Sequence, residues 1–194
     1  MYEKDKLKLS KEFWTELENK NFNELSYDLI IKKSGINKDK CIFFANSIYE
    51  ILSFSIEKIE QEILIGNIKD FDDEEHLEFH DKLLECIISR FEKYNCIKNQ
   101  ISNLYNASKR NPKLATILYY KLIVYINKNL NVCGDFSFGF KRMLRIKGIL
   151  FLLFKSKNVW LNDESKDLNQ TISKIDTELV RLKEIYYSIS KLER

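Results

Sequence analysis

Glycine and proline are scarce in this chain, and that scarcity restricts the fold more than any other feature of the sequence. Only five glycines and one proline occur in 194 residues. Sandwiches and barrels need many tight turns, which these two residues supply, so an all-β fold is disfavoured. Leu, Ile, Lys and Glu dominate instead, and apolar residues recur at helical spacing in one segment after another. The sequence therefore predicts an all-α protein.

The composition is that of a globular protein, and its net charge does not indicate a charged binding partner. Hydrophobic residues make up 44% of the chain and charged residues 31%, and 32 Lys and Arg against 29 Asp and Glu leave a net charge of +3. Such a balanced charge does not indicate nucleic-acid binding, so any charged patch must be local. The four cysteines form no CxxC pair, which favours buried, reduced thiols over a zinc site.

Turn and cap residues divide the chain into helical segments. The turn Ser34-Gly35-Ile36 separates two short helices, as in a helix-turn-helix motif, and Gly66-Asn67 ends the longer helix that follows. We therefore expect an N-terminal helix-turn-helix-like three-helix unit over residues 1–66 and a larger helical bundle over residues 67–194. The predicted helices cover about residues 10–19, 24–33, 37–44, 47–65, 77–91, 96–108, 112–130, 138–156 and 167–192.

Local apolar and basic residues bear on the location of the protein. The amino end lacks the pattern of a secretory signal, which predicts a cytoplasmic protein. The apolar run 149–154 is too short to span a bilayer, so only peripheral contact with the inner membrane is expected. A basic cluster near this run is suited to anionic lipid or to an acidic partner, and the alternative is an ordinary solvated helix face. The cluster consists of Lys141, Arg142, Arg145 and Lys147.

Neither a catalytic motif nor a metal motif stands out. The chain has no Gly-rich phosphate loop, no Gly-x-Ser-x-Gly elbow and no recognisable Cys/His dyad, so we predict a protein that is not an enzyme and needs no cofactor. His76 and His80 are spaced as metal ligands on a helix are, but Glu78 points away from both and a third histidine is lacking. Surface histidines beside a helix-capping acidic run are the preferred interpretation, so no metal site is predicted.

The segment around the first turn resembles the amino-terminal module of tetracycline-repressor-type regulators. Phe22, Ile30, Gly35, Ile36 and Lys38 carry the resemblance. In that family the third helix supplies a glycine, an aromatic hydroxyl and a lysine to DNA, whereas the aligned residues in this chain are Asp39, Ile42 and Ile48. An aspartate repels phosphate and isoleucine cannot hydrogen-bond to base edges. The resemblance thus implies the fold without nucleic acid as a partner.

A second resemblance covers the carboxyl-terminal half. It rests on Gly134-Asp135-Phe136-Ser137 with Phe140, on the segment from Trp160 to Ser165, and on Thr171, Ile175, Asp176 and Leu179. In this order, and with nearly ungapped spacing, these residues are similar to the signature of the coenzyme Q (ubiquinone) biosynthesis accessory proteins. The resemblance implies a tetracycline-repressor-like helical bundle that holds an isoprenoid lipid and assists a di-iron hydroxylase of ubiquinone precursors.

The functional hypothesis that follows is a non-enzymatic presenter. Such a protein binds an isoprenoid quinone precursor and offers it to the hydroxylase, as a homodimer formed through its last two long helices. The residues expected to bind lipid are Leu118, Leu122, Tyr125, Ile126, Phe138, Leu144 and Phe151. The residues expected at the partner surface are Asp135, Ser137, Arg142, Met143, Arg145, Trp160 and Asp163.

Other interpretations of the same residues stay open. The apolar side chains could be ordinary bundle core and dimer interface, and Asp135 and Ser137 could simply cap the next helix. The second functional hypothesis is a tetracycline-repressor-type transcriptional regulator that binds DNA through residues 37–44 and a small hydrophobic effector in the bundle. A structural interaction protein with a closed core is the third.

Overall fold

The computed structural model describes residues 2–73 and 77–192, and these residues are helices joined by short loops. The predicted all-α class is confirmed. A 3₁₀ turn, Phe22–Glu24, precedes the second helix. The α-helices are α1 Glu3–Asn19, α2 Tyr27–Ser34, α3 Lys38–Cys41, α4 Ile48–Asp73, α5 Phe79–Asn95, α6 Lys98–Ser108, α7 Pro112–Val132, α8 Gly139–Asn162 and α9 Asn169–Leu192. Within the described ranges, none of these helices is long and apolar enough to cross a membrane.

The chain forms two compact units, and their division differs from the predicted cut between residues 66 and 67. The first unit contains Met1–Glu62 together with Tyr94–Lys121, and the second contains Ile63–Lys93 together with Leu122–Arg194. The segment 94–121 thus belongs with the amino-terminal helices rather than with the bundle. Its apolar residues Leu104, Ala107 and Leu114 complete the core of the first unit, a pairing distant in sequence that local patterning does not reveal.

The first unit is built on the apolar face of α1. Leu9, Phe13 and Leu17 recur at four-residue steps and are fully buried. The helix begins at Glu3 rather than near residue 10 as predicted, and the Tyr2 carbonyl accepts from the amides of Asp5 and Lys6. The added turns carry charged residues, and Lys40 Nζ lies 2.5 Å from Asp5 Oδ2. The remaining core side chains of this unit come from several elements and include Phe22, Ile30, Ile31, Cys41, Ala45, Ile51, Leu52 and Ile56.

The predicted turn at Gly35 is present, but the helix after it is short. Ser26 caps α2 by accepting a hydrogen bond from the Leu29 amide, and Gly35 ends the helix in the left-handed region at φ 67°. A helix begins near residue 37 as predicted, and Asn37 caps α3 by accepting a hydrogen bond from the Asp39 amide. However, α3 ends at Cys41, before the predicted end near residue 44. A single helical turn therefore stands where the resemblance implies a recognition helix.

Helix α4 does not end at Gly66, contrary to the prediction. Asn67 is buried, and its side-chain amide nitrogen donates to Asn129 Oδ1 at 3.3 Å, while Ser89 Oγ donates to Asn67 Oδ1 at 2.9 Å. These contacts occupy the side chain that would otherwise end the helix, so the helix continues to Asp73. The acidic residues from Asp70 to Asp73 consequently close α4 instead of opening α5. Glu74, Glu75 and His76 lie outside the described residues.

The second unit is organised around the close packing of α8 on α9. Ile149 and Leu152 from α8 and Ile175 and Leu179 from α9 are buried. Both helices differ from the predicted bounds, since α8 extends to Asn162 and α9 begins at Asn169. At Gly148 the two helices approach so closely that a Cβ atom would lie 2.5 Å from the Tyr186 hydroxyl. Gly148 is thus the position that permits this crossing.

Candidate functional site

Asp135 organises the loop between α7 and α8. Its side chain is buried, with 5% exposure, and Oδ1 accepts a hydrogen bond from the Ser137 amide at 2.9 Å. Gly134, in the left-handed region at φ 85°, turns the chain away from α7, and the Asp135 amide donates to the Leu130 carbonyl at 2.8 Å. The loop is therefore fastened to the end of α7 by backbone and side-chain bonds together.

Two arginines from the first turns of α8 hold the same loop. Arg145 Nη1 lies 2.5 Å from Asp135 Oδ1, and Arg142 Nη1 donates to the Asp135 carbonyl at 2.7 Å. The other guanidinium nitrogens of Arg142 bond the Asn127 carbonyl at 2.6 Å, the Asn127 side chain at 3.0 Å and the Asn131 side chain at 2.8 Å. Arg142 thus uses its planar set of donors to join α7, the loop and α8.

The electrostatics of the loop keep Asp135 ionised. Burial by itself raises the pKa of a carboxyl, but the hydrogen bonds from Arg145 and Ser137 outweigh it and hold the pKa of Asp135 below its usual range. Arg145 also lies over the ring of Phe79, with its guanidinium carbon 5.2 Å from the ring centre. Arg145 therefore joins Asp135 of the loop to Phe79 of α5 and holds the loop in position.

The aromatic residues of this loop and the start of α8 extend into solvent. Phe138 is 90% exposed, Phe136 78% and Phe140 60%. We call these three residues the aromatic tip. Phe138 is extended, at φ −132° and ψ 172°, so neighbouring side chains point to opposite sides. Because Asp135 points inward and Ser137 is half-buried, Phe136 and Phe138 are directed outward.

One side of α8 carries further exposed apolar residues. Phe140, Met143, Phe151 and Phe154 follow one another at helical steps along this side and are between 42% and 60% exposed. We call this set the α8 apolar face. Lys147 lies in the middle of it, and Lys155 Nζ sits 4.6 Å from the centre of the Phe151 ring. An amphipathic face of this kind, apolar with basic residues among it, is suited to a lipid or to an apolar partner surface.

Trp160 and Asp163 are not at the surface, although the resemblance implied that they face a partner. Trp160 is 2% exposed and packs on Phe91, with ring centres 5.6 Å apart. Asp163 is 1% exposed and accepts hydrogen bonds from the amides and hydroxyls of Ser165 and Thr171, at 2.5–3.1 Å. These bonds outweigh the effect of burial and hold the pKa of Asp163 well below its usual range. Both residues therefore stabilise the α8–α9 corner.

The predicted lipid-binding residues do not line a common surface. Leu118 packs on the core of the first unit, while Tyr125 and Ile126 are buried in the second, where the Tyr125 hydroxyl donates to the Cys86 carbonyl at 2.6 Å. Leu122 and Leu144 are half-buried, and Phe138 and Phe151 are exposed. Apolar residues at helical spacing look alike whether they are core or surface, so the sequence pattern mixed the two groups.

The structure also contains buried polar groups that the sequence did not indicate. Glu178, although buried, faces three cations: Lys174 Nζ at 2.7 Å, Arg181 Nη1 at 2.9 Å and Lys155 Nζ at 3.1 Å. The hydrogen bond from Lys174 is the main cause that lowers the pKa of this carboxyl. The spacing of Lys174 four residues before Glu178 was a visible signal, whereas Lys155 comes from another helix.

The remaining candidate sites are weak. Across residues 2–73 and 77–192, no cluster of His, Cys, Asp and Glu could hold a metal ion. Half of the histidine pair, His76, lies outside those ranges. A cavity of about 140 Å³ between α1 and α4 is lined by residues such as Glu3, Lys6 and Phe54. It is smaller than the usual ligand pocket of roughly 300–1,000 Å³ and contains none of the predicted site residues.

Comparison of the chain with protein-family models, with curated proteins and with solved structures finds no match in any of the three. The features that indicate a function are therefore those of the chain itself, above all the exposed apolar residues around α8 and the basic residues that accompany them.

Proposed function

We propose that this protein is a non-enzymatic accessory protein of ubiquinone biosynthesis that binds an isoprenoid quinone precursor and presents it to a hydroxylase. The α8 apolar face is the observation that carries the proposal. Core side chains of a helix are normally covered, and Phe151 and Phe154 instead remain about half exposed. A polyprenyl tail laid on them gains roughly 0.8 kcal/mol per buried methylene without any polar contact.

The same region supplies a surface for the hydroxylase. Of the residues predicted to face a partner, Met143 is exposed and Arg145 is about one-third exposed, while Asp135 and Arg142 position the loop beside them. The partner contact is therefore proposed for the amino-terminal half of α8. In this arrangement the hydroxylase carries out the reaction, and the accessory protein contributes binding and orientation of the substrate.

Self-association is proposed through α8 and α9. Val180 and Tyr187 lie seven residues apart on one side of α9, and both are exposed. They offer apolar surface of the kind that helices bury in a homodimer, and the α8 apolar face is left to the lipid. The expected assembly is a dimer with a two-fold axis.

Native mass spectrometry of the gently purified protein tests the ligand and the assembly together. We expect the mass of a dimer with a bound isoprenoid or quinone, identified after solvent extraction. The matched pair is Phe151→Glu with Phe154→Glu against Tyr119→Glu with Tyr120→Glu, because both pairs are exposed aromatics. Loss of the lipid from the first variant alone supports the proposal. A wild-type protein without ligand, or equal loss from both variants, contradicts it.

An experiment in cells tests the role of the bound lipid. Deletion of the gene that encodes this chain should lower the cellular level of ubiquinone and cause its unhydroxylated precursor to accumulate. Both are measured after lipid extraction. Wild-type protein and the Tyr119→Glu, Tyr120→Glu control should restore the normal ratio, and the α8 variant should not. A normal ubiquinone level in the deletion strain would contradict the proposed function.

A transcriptional regulator is the second candidate, and one observation favours it. The Ser26 cap, the left-handed Gly35 and the Asn37 cap form a helix-turn-helix-like pair. Against DNA binding, α3 has only four residues, and Lys38 and Lys40 pair with Asp28 at 2.6 Å and Asp5 at 2.5 Å. Affinity for the DNA around its own gene that falls steeply with salt would favour the regulator.

A further inference from the structure

The aromatic tip combines high exposure with a fixed backbone. Its three phenylalanines fall within five residues and are 60–90% exposed. Loops between elements lie at the surface and are usually mobile, so an exposed side chain on a loop is seldom held in one place. Here Asp135 accepts from the Ser137 amide, and Arg142 holds the Asp135 carbonyl. The backbone under Phe136 and Phe138 is thereby held, and the rings are presented to the surroundings.

Basic residues accompany the tip. Residues 122–148, which include the tip and the first turns of α8, contain five Lys and Arg and one acidic residue, Asp135. That single carboxylate is buried against Arg142 and Arg145, so it offers no negative charge at the surface. The start of α5 lies beside Arg145 through Phe79 and adds Glu78, Asp81 and Lys82, which leaves six cations against three acids. The region complements an anionic surface.

The size of the tip argues against a second protein as its occupant. A phenylalanine buries on the order of 200 Å², so three rings at these exposures offer roughly 450 Å². A stable protein interface needs about 800 Å² on each partner. The headgroup region of a bilayer has no such requirement, since it accepts protruding apolar side chains while flanking lysines and arginines remain among the headgroups.

We infer that the aromatic tip is a membrane anchor, which inserts Phe136, Phe138 and Phe140 between the headgroups of an anionic bilayer while the exposed lysines at the start of α8, Lys141 and Lys147, contact the phosphates. This inference deepens the proposed function and rests on it, because a protein that takes up an isoprenoid lipid has to reach the bilayer that holds the lipid. It assigns the contact to the loop before α8 and does not depend on a bound isoprenoid.

Co-sedimentation of the full chain with vesicles tests the anchor without any quinone. Wild-type protein should bind vesicles containing about one third phosphatidylglycerol at least about tenfold more tightly than phosphatidylcholine vesicles, and high salt should weaken the binding. Phe136→Ser with Phe138→Ser should lower the affinity about tenfold or more. The matched control is Tyr120→Ser, which removes an exposed aromatic of the first unit and should bind as the wild type does.

A single-site probe reports insertion directly. Phe138→Trp should show a blue shift of its emission on anionic vesicles and quenching by brominated lipid, while Trp14 and Trp160 of the wild type serve as the background. Vesicle binding that survives the double serine variant, or a tryptophan that does not respond, overturns the inference. A double variant that changes only the oligomeric state, measured by light scattering, overturns it in favour of a second copy of the chain.

The two proposals can fail separately. If the protein binds vesicles through the tip but the wild type carries no isoprenoid, the membrane anchor is supported and the lipid-presenting function is contradicted. A stoichiometric isoprenoid in a protein that ignores anionic vesicles keeps the presenter and removes the anchor.

Discussion

The loops at the two ends of α8 use the same device with opposite results. Each contains a buried aspartate whose carboxylate accepts from the amide two residues ahead: Ser137 for Asp135 and Ser165 for Asp163. After α8, the surrounding residues are drawn inward, and Trp160 and Leu168 are buried. Before α8, the neighbouring Phe136 and Phe138 are exposed.

The donors to each carboxylate explain the difference. Asp163 is satisfied by hydroxyls and amides of its own corner, so the loop closes on itself and can be covered by apolar side chains. Asp135 receives guanidinium groups from α8, which keep a polar, charged strip at the edge of the loop. The same type of turn is therefore compatible with either a structural corner or a presented surface, and the neighbours decide which one forms.

Asp163→Ala should give the largest effect in this comparison. It removes the acceptor of hydrogen bonds from Ser165 and Thr171 in a buried corner and leaves their hydroxyls and amides without it. We expect the free energy of unfolding to fall by about 3 kcal/mol, as urea unfolding would measure. Asp163→Asn keeps one oxygen acceptor and should lose less. Equal stability of wild type and Asp163→Ala would mean that the corner is not held by this carboxylate.

Asp135→Ala should cost less, about 2 kcal/mol, because Arg142 keeps its bonds to Asn127 and Asn131. The amide of Ser137 loses its acceptor, so its hydrogen exchange should accelerate. The same urea titration and an exchange measurement by NMR check both effects. A loss as large as that of Asp163→Ala would show that the two loops are equivalent anchors.

Gly148→Ala tests the middle of α8 against its ends. The new methyl group would meet Tyr186 Oη at 2.5 Å and Leu182 at 3.0 Å, and the Tyr186 hydroxyl is itself bonded to the Leu144 carbonyl at 3.0 Å. We expect a loss of roughly 1–2 kcal/mol in thermal or urea unfolding.

Gly66→Ala in α4 is the matched control, because no neighbouring atom lies within 4 Å of the place that its methyl group would occupy. The higher helix propensity of alanine should leave the stability unchanged or raise it by up to about 1 kcal/mol. Similar behaviour of the two alanine variants would contradict the close α8–α9 crossing.

The smallest expected effect is a change with pH in the difference in stability between wild type and Asp163→Asn. The pKa of Asp163 is lower in the folded protein than in the unfolded chain, where it is about 3.9. Its contribution to the free energy of unfolding is therefore complete above that value and is lost as the pH falls below it. The gap in unfolding free energy between wild type and Asp163→Asn should therefore narrow below about pH 4. Other carboxyls with lowered pKa, such as Glu178, titrate in both proteins and cancel. A gap that stays constant down to about pH 2 would assign the effect to packing alone.

Much of the fold was determined by the sequence itself. Few glycines and prolines and apolar residues at helical spacing predicted an all-α chain. The turn at Gly35 and the starts of the helices near residues 37 and 112 were also predicted correctly. These features could be predicted from the sequence because a cap or a left-handed glycine acts on the backbone within a few residues of itself.

Tertiary structure alone decided what covers each apolar residue and each charge. Helix α4 continues past Gly66 because Asn67 finds buried partners, and the segment 94–121 joins the first unit through its apolar side chains. Trp160 is core and Phe136 is surface, although both are aromatic residues in motifs of the same resemblance. Helical periodicity reports which residues share a side of a helix, whereas burial depends on distant elements that pack there, and that is information no local pattern holds.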